Sequence, residues 1–294
     1  GRRRRRRRGR RAGHTGLIRV QLPRTESVLP RVEWRASSPS TNAELRELVR
    51  GEGGAVPHGT VLATADQTAG RGRLGRGWVT PPDTALAVSV LIRDFGQTGL
   101  PASWLPLIAG SAVTASLQPL FGEGLRVGTK WPNDVHVRDE ADAEAGRPGR
   151  KLCGILCEVL PDGAIVVGMG INLLIPDWEL PTERATSVLA AGGEVGGATS
   201  LSDPDGAELA DRVLAAVVTE LLRLAALAAE DPGAVRARVL RHSLTLGAEV
   251  RVHLPGDELV DGRAAGLADD GSLLVDLPTG GQLTVSAADV EHLR

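Results

Sequence analysis

Lysine is almost missing from this chain. It occurs twice, at Lys130 and Lys151, against 32 arginines, so positive charge is supplied by arginine almost by default. The two exceptions mark sites that call for a compact ammonium rather than a planar fork. Asparagine is nearly as rare: only Asn42, Asn133 and Asn172 occur, inside SPSTN, WPND and GMGIN. Cysteine is confined to Cys153 and Cys157, with none of the six histidines close in sequence. That speaks against a zinc site or a disulfide and leaves two small buried hydrophobes. No apolar run approaches the roughly 18 residues of a membrane helix, and no apolar segment follows the N-terminal charges as in a secretory signal. The expected location is the cytoplasm, with no membrane partner.

Acids are absent from the first 24 positions, which hold eleven of the 34 basic residues. Setting those eleven aside leaves 23 bases against 36 acids, so the body is strongly acidic although the whole chain is only at -2. Such a body is a poor partner for duplex DNA, whose binding depends on neutralising phosphates. The stretch GRRRRRRRGRRAG has no apolar periodicity and repels itself, so it reads as disordered. It is either an arm for nucleic acid or a membrane surface, or a start that is not native. With 294 residues, 42% of them apolar, the chain has enough material for one large domain, or a medium one with an appendage.

VEWRASSPSTNAELRELVRG reads as a strand, a turn and a helix, with Thr41 and Glu44 at capping-box spacing and Gly51 ending the helix. TVLAT and ALAVSVLIR read as strands, residues 103–120 as a helix, and KLCGILCEVL and AIVVGMGINLL as strands joined by a PDG turn. From Asp203 to about Leu240 the apolar spacing is helical. Beyond a boundary near residue 243, short alternating runs separated by Gly and Asp-Gly turns suggest a small barrel.

GRGRLGRGW at 70–78 satisfies G-x-G-x-x-G, yet Pro81 and Pro82 follow where the dinucleotide fingerprint needs a helix, and no acid lies at the right distance. What remains is a glycine loop carrying Arg71, Arg73 and Arg76, suited to gripping an anion, with Trp78 available to pin its exit strand to the core.

QTAGRGRLGRGW, KWPNDV, KLCGILCE and VVGMGINL, in this order and after SPSTN, closely resemble the motif set of the biotin protein ligases, also called biotin-[acetyl-CoA-carboxylase] ligases. A-T-S-L occurs at 198–201 and, as ATSVL, at Ala185–Leu189; the second copy is preferred because it follows a loop soon after GINL. The resemblance spans about residues 34–240, and the tail resembles the family's SH3-like domain. It implies an α+β fold: a disordered arm over 1–30, a class II synthetase-like catalytic domain over 31–242 with a mixed or antiparallel sheet and flanking helices, and an SH3-like β-barrel over 243–294.

The implied chemistry has two half-reactions. Biotin's carboxylate attacks the α-phosphate of ATP, giving biotinyl-5'-AMP and pyrophosphate. A lysine of a biotin carboxyl carrier protein or domain, from acetyl-CoA carboxylase or a related acyl-CoA carboxylase, then takes the biotinyl group. Lys151, Arg73 and Asp134 form the implied catalytic set: Lys151 between the two oxyanions, Arg73 with Arg71 and Arg76 as a lid, and Asp134 on Mg2+. Ser40, Thr41, Asn42 and Gln67 are expected at the ureido ring, with Gly70, Arg71, Arg73, Lys151 and Gly154 completing the biotin site. Arg71, Arg73, Arg76, Trp78, Lys130, Asn133, Asp134, Lys151, Gly168 and Asn172 are expected on ATP or the adenylate. Trp131 packs either on the ligand or in the core, the core being favoured. The roughly 30 residues before the motifs are too short for the repressor-type DNA-binding domain, so a monofunctional ligase without specific DNA binding, monomeric or weakly dimeric, is expected. The alternatives are a lipoate or octanoyl protein ligase and, in a different class, a nucleic-acid-binding module using the arginine arm.

Overall fold

The computed structural model describes residues 21–293 except 255, 257 and 287. Helix α1 (Pro23–Val28) sits against a buried carboxylate. Asp211 accepts the N–H groups of Arg24 and Thr25, each at 2.9 Å, and the Thr25 hydroxyl at 2.7 Å. This corrects the expected disorder through residue 30. A carboxylate that captures the unpaired N–H groups of a first helical turn anchors the chain there. Residues 1–20 of the arm lie outside the described residues.

Strand β1 (Val32–Arg35) leads to α2 (Thr41–Glu52). The cap of α2 lies one residue earlier than its sequence suggests. Ser40 is the N-cap and accepts the Ala43 N–H, and the helix runs past Gly51 to a C-cap at Gly53 with φ +57°, a conformation glycine adopts without cost. With Ser40 capping, the Thr41 hydroxyl is released for other partners. β2 (Val61–Thr64) follows, then the two short strands β3 (Gly70–Arg71) and β4 (Gly77–Trp78), then β5 (Ala85–Ile92). Next come α3 (Leu105–Leu117), β6 (Arg126–Lys130), β7 (Asp134–Arg138), α4 (Glu140–Glu144), β8 (Arg150–Val159) and β9 (Ile165–Asn172).

The helical stretch after residue 203 is two helices, α5 (Pro204–Glu230) and α6 (Pro232–His242). Pro232 has no N–H to continue the ladder, and Asp231 caps the new helix by accepting the Ala234 N–H at 2.9 Å.

A seven-stranded sheet runs in the order β1-β2-β5-β9-β8-β7-β6, parallel only between β1 and β2 and antiparallel elsewhere. Its two faces differ because strand side chains alternate. Val88, Val90, Val167, Met169 and Ile171 join the main core with α3 and α5. α3 is apolar nearly all round, as a helix held between the sheet and α5 should be. On the other face α2 covers Leu62, Leu91 and Val166 with Leu45 and Val49. Farther along, that same face bears Ser89, Gly168, Gly170 and Gly154, and there the helix gives way to a cavity.

The final strands β10 (Glu249–His253), β11 (Leu259–Leu267), β12 (Leu273–Asp276), β13 (Gln282–Val285) and β14 (Asp289–His292) form an antiparallel sheet in the order β13-β12-β11-β10-β14. Among the described residues no helix is long and apolar enough to cross a membrane.

Candidate active site

The cavity of about 1010 Å³ opens on the glycine-bearing face of the main sheet. Gly154 and Gly170 face each other across β8 and β9, and the indole of Trp78 lies over them. A Cβ at Gly170 would fall 2.4 Å from Trp78 Cε2, and one at Gly154 would fall 3.1 Å from both Trp78 Cζ3 and Lys151 Nζ. Two neighbouring side chains reduced to hydrogen thus create a flat bed for an aromatic ring. Lys151 Nζ stands 5.7 Å above the same ring, within cation–π range.

GRGRLGRGW is a short hairpin in which Gly70 faces Trp78 and Arg71 faces Gly77. Leu74 at its tip has φ +56°, followed by Gly75 at +73°, and Leu74 is 76% exposed. Two arginines of the hairpin are anchored on different elements. Arg73 Nη1 donates to Asn133 Oδ1 at 3.1 Å, and Arg76 forms an ion pair with Asp289 of β14. Arg71 is exposed at the cavity wall.

KWPND forms the turn between β6 and β7. Asn133 is fixed by donating to the Ile155 carbonyl at 2.7 Å and by its own carbonyl accepting the Ile155 N–H at 2.9 Å. Asp134 Oδ1 is 2.7 Å from Lys151 Nζ, and Oδ2 is 3.9 Å from His136 Nε2. Burial alone would raise the Asp134 carboxyl, but His136 and Lys151 together hold it well below the usual carboxylate range. Lys130 Nζ donates to the Val290 carbonyl of β14 at 2.7 Å, and burial depresses its pKa. Trp131 is buried; its Nε1 donates to the Gly271 carbonyl at 3.1 Å, and its backbone N–H donates to Thr245 Oγ1 at 3.0 Å. Both cysteines lie in β8, where burial raises their thiols, that of Cys157 to about 12. Neither is poised as a nucleophile.

At the α2 end, Asn42 Nδ2 donates to Glu158 Oε2 at 2.7 Å and to the Leu156 carbonyl at 3.2 Å, while Oδ1 accepts from Ser89 at 2.6 Å. Gln67 Oε1 accepts the Thr41 N–H at 2.9 Å. One end of the cavity therefore carries neutral, directional hydrogen-bonding groups around Thr41 and Gln67, with the Arg46–Glu158 ion pair beside Asn42, and the other carries the Lys151 ammonium, guanidinium and the Asp134 carboxylate.

The chain matches the Biotin/lipoate A/B protein ligase family over residues 37–175 and the biotin protein ligase C-terminal domain over 245–293. It is 37% identical over 267 residues to the biotin–[acetyl-CoA-carboxylase] ligase of Mycobacterium tuberculosis, covering 89% of this chain and 90% of that protein. The chain belongs to the biotin protein ligase family. The like-named ligase of Paracoccus denitrificans is 32% identical, with 87% and 98% of the two chains covered. The solved biotin protein ligase of Aquifex aeolicus in complex with biotin and ATP superposes with a TM-score of 0.65 at 25% identity, over 90% of this chain and all of that one.

The ligase brings most of the sequence-predicted residues to one cavity. Ser40, Thr41, Asn42 and Gln67 line one end; Lys130, Asn133, Asp134 and Lys151 line the other; Arg71, Arg73, Arg76 and Trp78 lie on the hairpin, with Gly154 and Gly168 on the sheet. Two depart from expectation. Asn172 is buried outside the lining because the Ala185–Leu189 segment covers it, and its Nδ2 donates to the Thr186 carbonyl at 2.9 Å. Gly70 is buried under Gln67, whose Nε2 occupies the space a Cβ would need. The preferred ATSVL copy does border the site, since Lys151 exchanges backbone hydrogen bonds with Arg184 and Thr186 at 2.8 Å. The 198–201 copy instead leads into α5, its Thr199 and Ser200 N–H groups donating to the carboxylate of Asp203, which caps that helix.

Sequence reasoning missed Ser89, His136, Glu158 and the β14 residues. Ser89 had one signal, being the sole polar residue in ALAVSVLI. The β14 residues had none, because only tertiary contact brings them to the cavity.

Proposed function

We propose that this protein is a biotin–[acetyl-CoA-carboxylase] ligase: it joins biotin to ATP as biotinyl-5'-AMP and passes the biotinyl group to a lysine of a carrier domain of acetyl-CoA carboxylase. The observation that carries this reading is the two-ended cavity, neutral and directional around Thr41 and Gln67, cationic around Lys151, with a tryptophan bed between. Biotin has the same polarity, a ureido ring at one end and a carboxylate at the other.

In the first half-reaction an anionic carboxylate must approach an anionic phosphate, so the barrier is largely repulsion and orientation. Lys151 places a compact positive charge where both oxyanions converge, and Asp134 keeps that ammonium aimed. Carboxylate oxygen bonds to phosphorus and pyrophosphate leaves. Arg73 and Arg71 then hold the mixed anhydride against water until the carrier amine attacks its acyl carbon and AMP departs. No enzyme nucleophile is needed, in keeping with the raised thiols of both cysteines.

Magnesium enters with ATP. Among the described residues no cluster of three or more His, Cys, Asp or Glu is arranged to hold a metal. Asp134 fits the lesser role of a single carboxylate on an ion held mainly by phosphates. When bound, the ion offsets phosphate charge.

The test is labelling of a purified carrier domain. Transfer that requires both biotin and ATP and is not competed by lipoate supports the reading. No transfer to a competent acceptor, or competition by lipoate but not biotin, overturns it.

A further inference from the structure

Buried hydroxyls and amides often leave their proton directions open, but at the α2 end of the cavity those directions follow from counting donors. Glu158 Oε1 accepts from Arg46 Nη1 at 2.8 Å, and Oε2 accepts from Asn42 Nδ2 at 2.7 Å. That Nδ2 also meets the Leu156 carbonyl at 3.2 Å. A carboxylate and a carbonyl only accept, so the Asn42 amide nitrogen must face them and its Oδ1 must face Ser89. Ser89 has one proton, and Asn42 Oδ1, 2.6 Å away, has none to offer; the Ser89 proton is therefore committed. Ser89 Oγ also lies 2.8 Å from Thr41 Oγ1, so Thr41 must be the donor there. The other acceptor within reach of the Thr41 hydroxyl is Gln67 Oε1 at 3.3 Å, which also takes the Thr41 N–H at 2.9 Å; with either acceptor the single Thr41 proton is spent inside the protein. Thr41 is left with lone pairs alone to offer the cavity.

We infer that Glu158, held by Arg46, is a positioning residue that sets the hydrogen-bond polarity of the ureido end. Acting through Asn42 and Ser89, it makes Thr41 an obligate acceptor for a ligand N–H. Gln67, whose carbonyl oxygen takes the Thr41 N–H, complements this with the amide N–H groups it has left to offer a ligand carbonyl. The inference rests on the biotin reading and adds to it the origin of selectivity. The packing supports a fixed orientation. Ser89 is fully buried and Asn42 is 7% exposed, and Gly168 is flattened against Asn42, with Oδ1 only 2.2 Å from where a Cβ would be.

The test compares biotin with two cyclic carbamates, each carrying a ring oxygen in place of one ureido N–H. Kd values are measured for the wild type, Glu158→Gln, Glu158→Asp and Ser89→Ala, with ATP affinity and melting temperature recorded alongside. Wild type should reject the carbamate whose oxygen faces Thr41 by about a hundredfold, because two acceptors oppose each other there. Glu158→Gln supplies an N–H to Asn42 and leaves only the longer bond to the Leu156 carbonyl, at 3.2 Å, to hold its amide, so the turned amide becomes populated and Thr41 is freed to donate. The biotin-to-carbamate ratio should then fall at least tenfold for that isomer alone, with ATP affinity unchanged. Ser89→Ala should lower the ratio similarly, and Glu158→Asp should restore most of it. Wild type that binds biotin, with a ratio unmoved in folded Glu158→Gln and Ser89→Ala, overturns the relay and leaves the biotin reading intact. Wild type that does not bind biotin overturns both.

Discussion

Removing the Lys151 ammonium should separate chemistry from folding. In Lys151→Ala, Asp134 loses the cation at 2.7 Å, and Trp78 loses the charge 5.7 Å above its ring. The Asp134 side chain is 22% exposed, so its unpaired carboxylate is partly re-solvated and the stability cost should be about 1–3 kcal/mol. The catalytic cost should be larger and of a different kind. A positioned charge stabilising the oxyanions of the transition state is worth about 2.7–4 kcal/mol, or roughly 10²–10³ in rate. Single-turnover pyrophosphate release measures the second quantity, and urea denaturation measures the first. Lys151→Met combined with Asp134→Asn removes both charges together. It should recover most of the lost stability and none of the lost rate. The Asp134 carboxyl is held low in the fold, so it contributes stability above its unfolded pKa that is lost as pH falls; in Lys151→Ala that acid-side loss should shrink. A folded Lys151→Ala releasing pyrophosphate within about fivefold of wild type would refute the role assigned to this side chain.

Three further outcomes follow from other contacts. Gly170→Ala places a methyl 2.4 Å from Trp78 Cε2 and must lift the indole from its bed, so KM for biotin and ATP should rise with melting nearly unchanged; unchanged KM values would show that the ring is no part of the site. Arg73→Gly breaks the bond to Asn133 and should let the adenylate escape, read as labelling of bystander proteins in excess of wild type; equal retention would remove the lid role. His292, in β14, is pushed down to about 4 by burial, with Lys130, His136 and Arg138 adding repulsion and the Gly146 carbonyl opposing. The unfolded chain then binds the extra proton between about pH 6.5 and 4, so stability falls across that window as pH drops, by at most about 1.4 kcal/mol per unit for this group. The His292→Gln variant should show a shallower fall in urea midpoint; identical slopes would mean that His292 is not the group responsible.

How far the sequence reaches is shown by its two lysines. Rarity singles out both as sites that call for a compact ammonium, and the structure gives them different surroundings. Lys151 faces Asp134 in the cavity. Lys130 is largely buried and donates to the Val290 carbonyl at 2.7 Å, where a guanidinium would bring two more N–H groups than an ammonium into the same space. Composition detects the requirement for a small cation and is blind to whether a ligand or a strand meets it. Asn172 makes the same point: its motif implied a nucleotide contact, whereas the chain uses it to hold the covering Ala185–Leu189 segment. Strands and long helices were legible because alternation and helical spacing are local. The cap falls at Ser40, one residue before the position the spacing suggests, and the Thr41 hydroxyl so released meets Ser89, forty-eight positions away, a contact of which local spacing carries no trace.

The same limit explains the C-terminal sheet, which reads in sequence as an appendage with its own turns and alternation. Its strand β14 instead supplies a wall of the catalytic cavity. Asp289 fixes Arg76 of the hairpin, Val290 accepts from Lys130, and Glu291 meets Arg184 beside the ATSVL segment. Trp131 is fastened to this part of the chain through Gly271 and Thr245. Each link joins the hairpin, the KWPND turn or the segment before ATSVL to a residue beyond 243, and all three of these segments line the cavity that holds Lys151. A lid anchored on a separate sheet can shift only if that sheet moves or the Arg76–Asp289 pair parts. Under the lid role proposed for this hairpin, its opening would part the Arg76–Asp289 pair or move that sheet, a link to the C-terminal sheet that the catalytic motifs alone do not reveal.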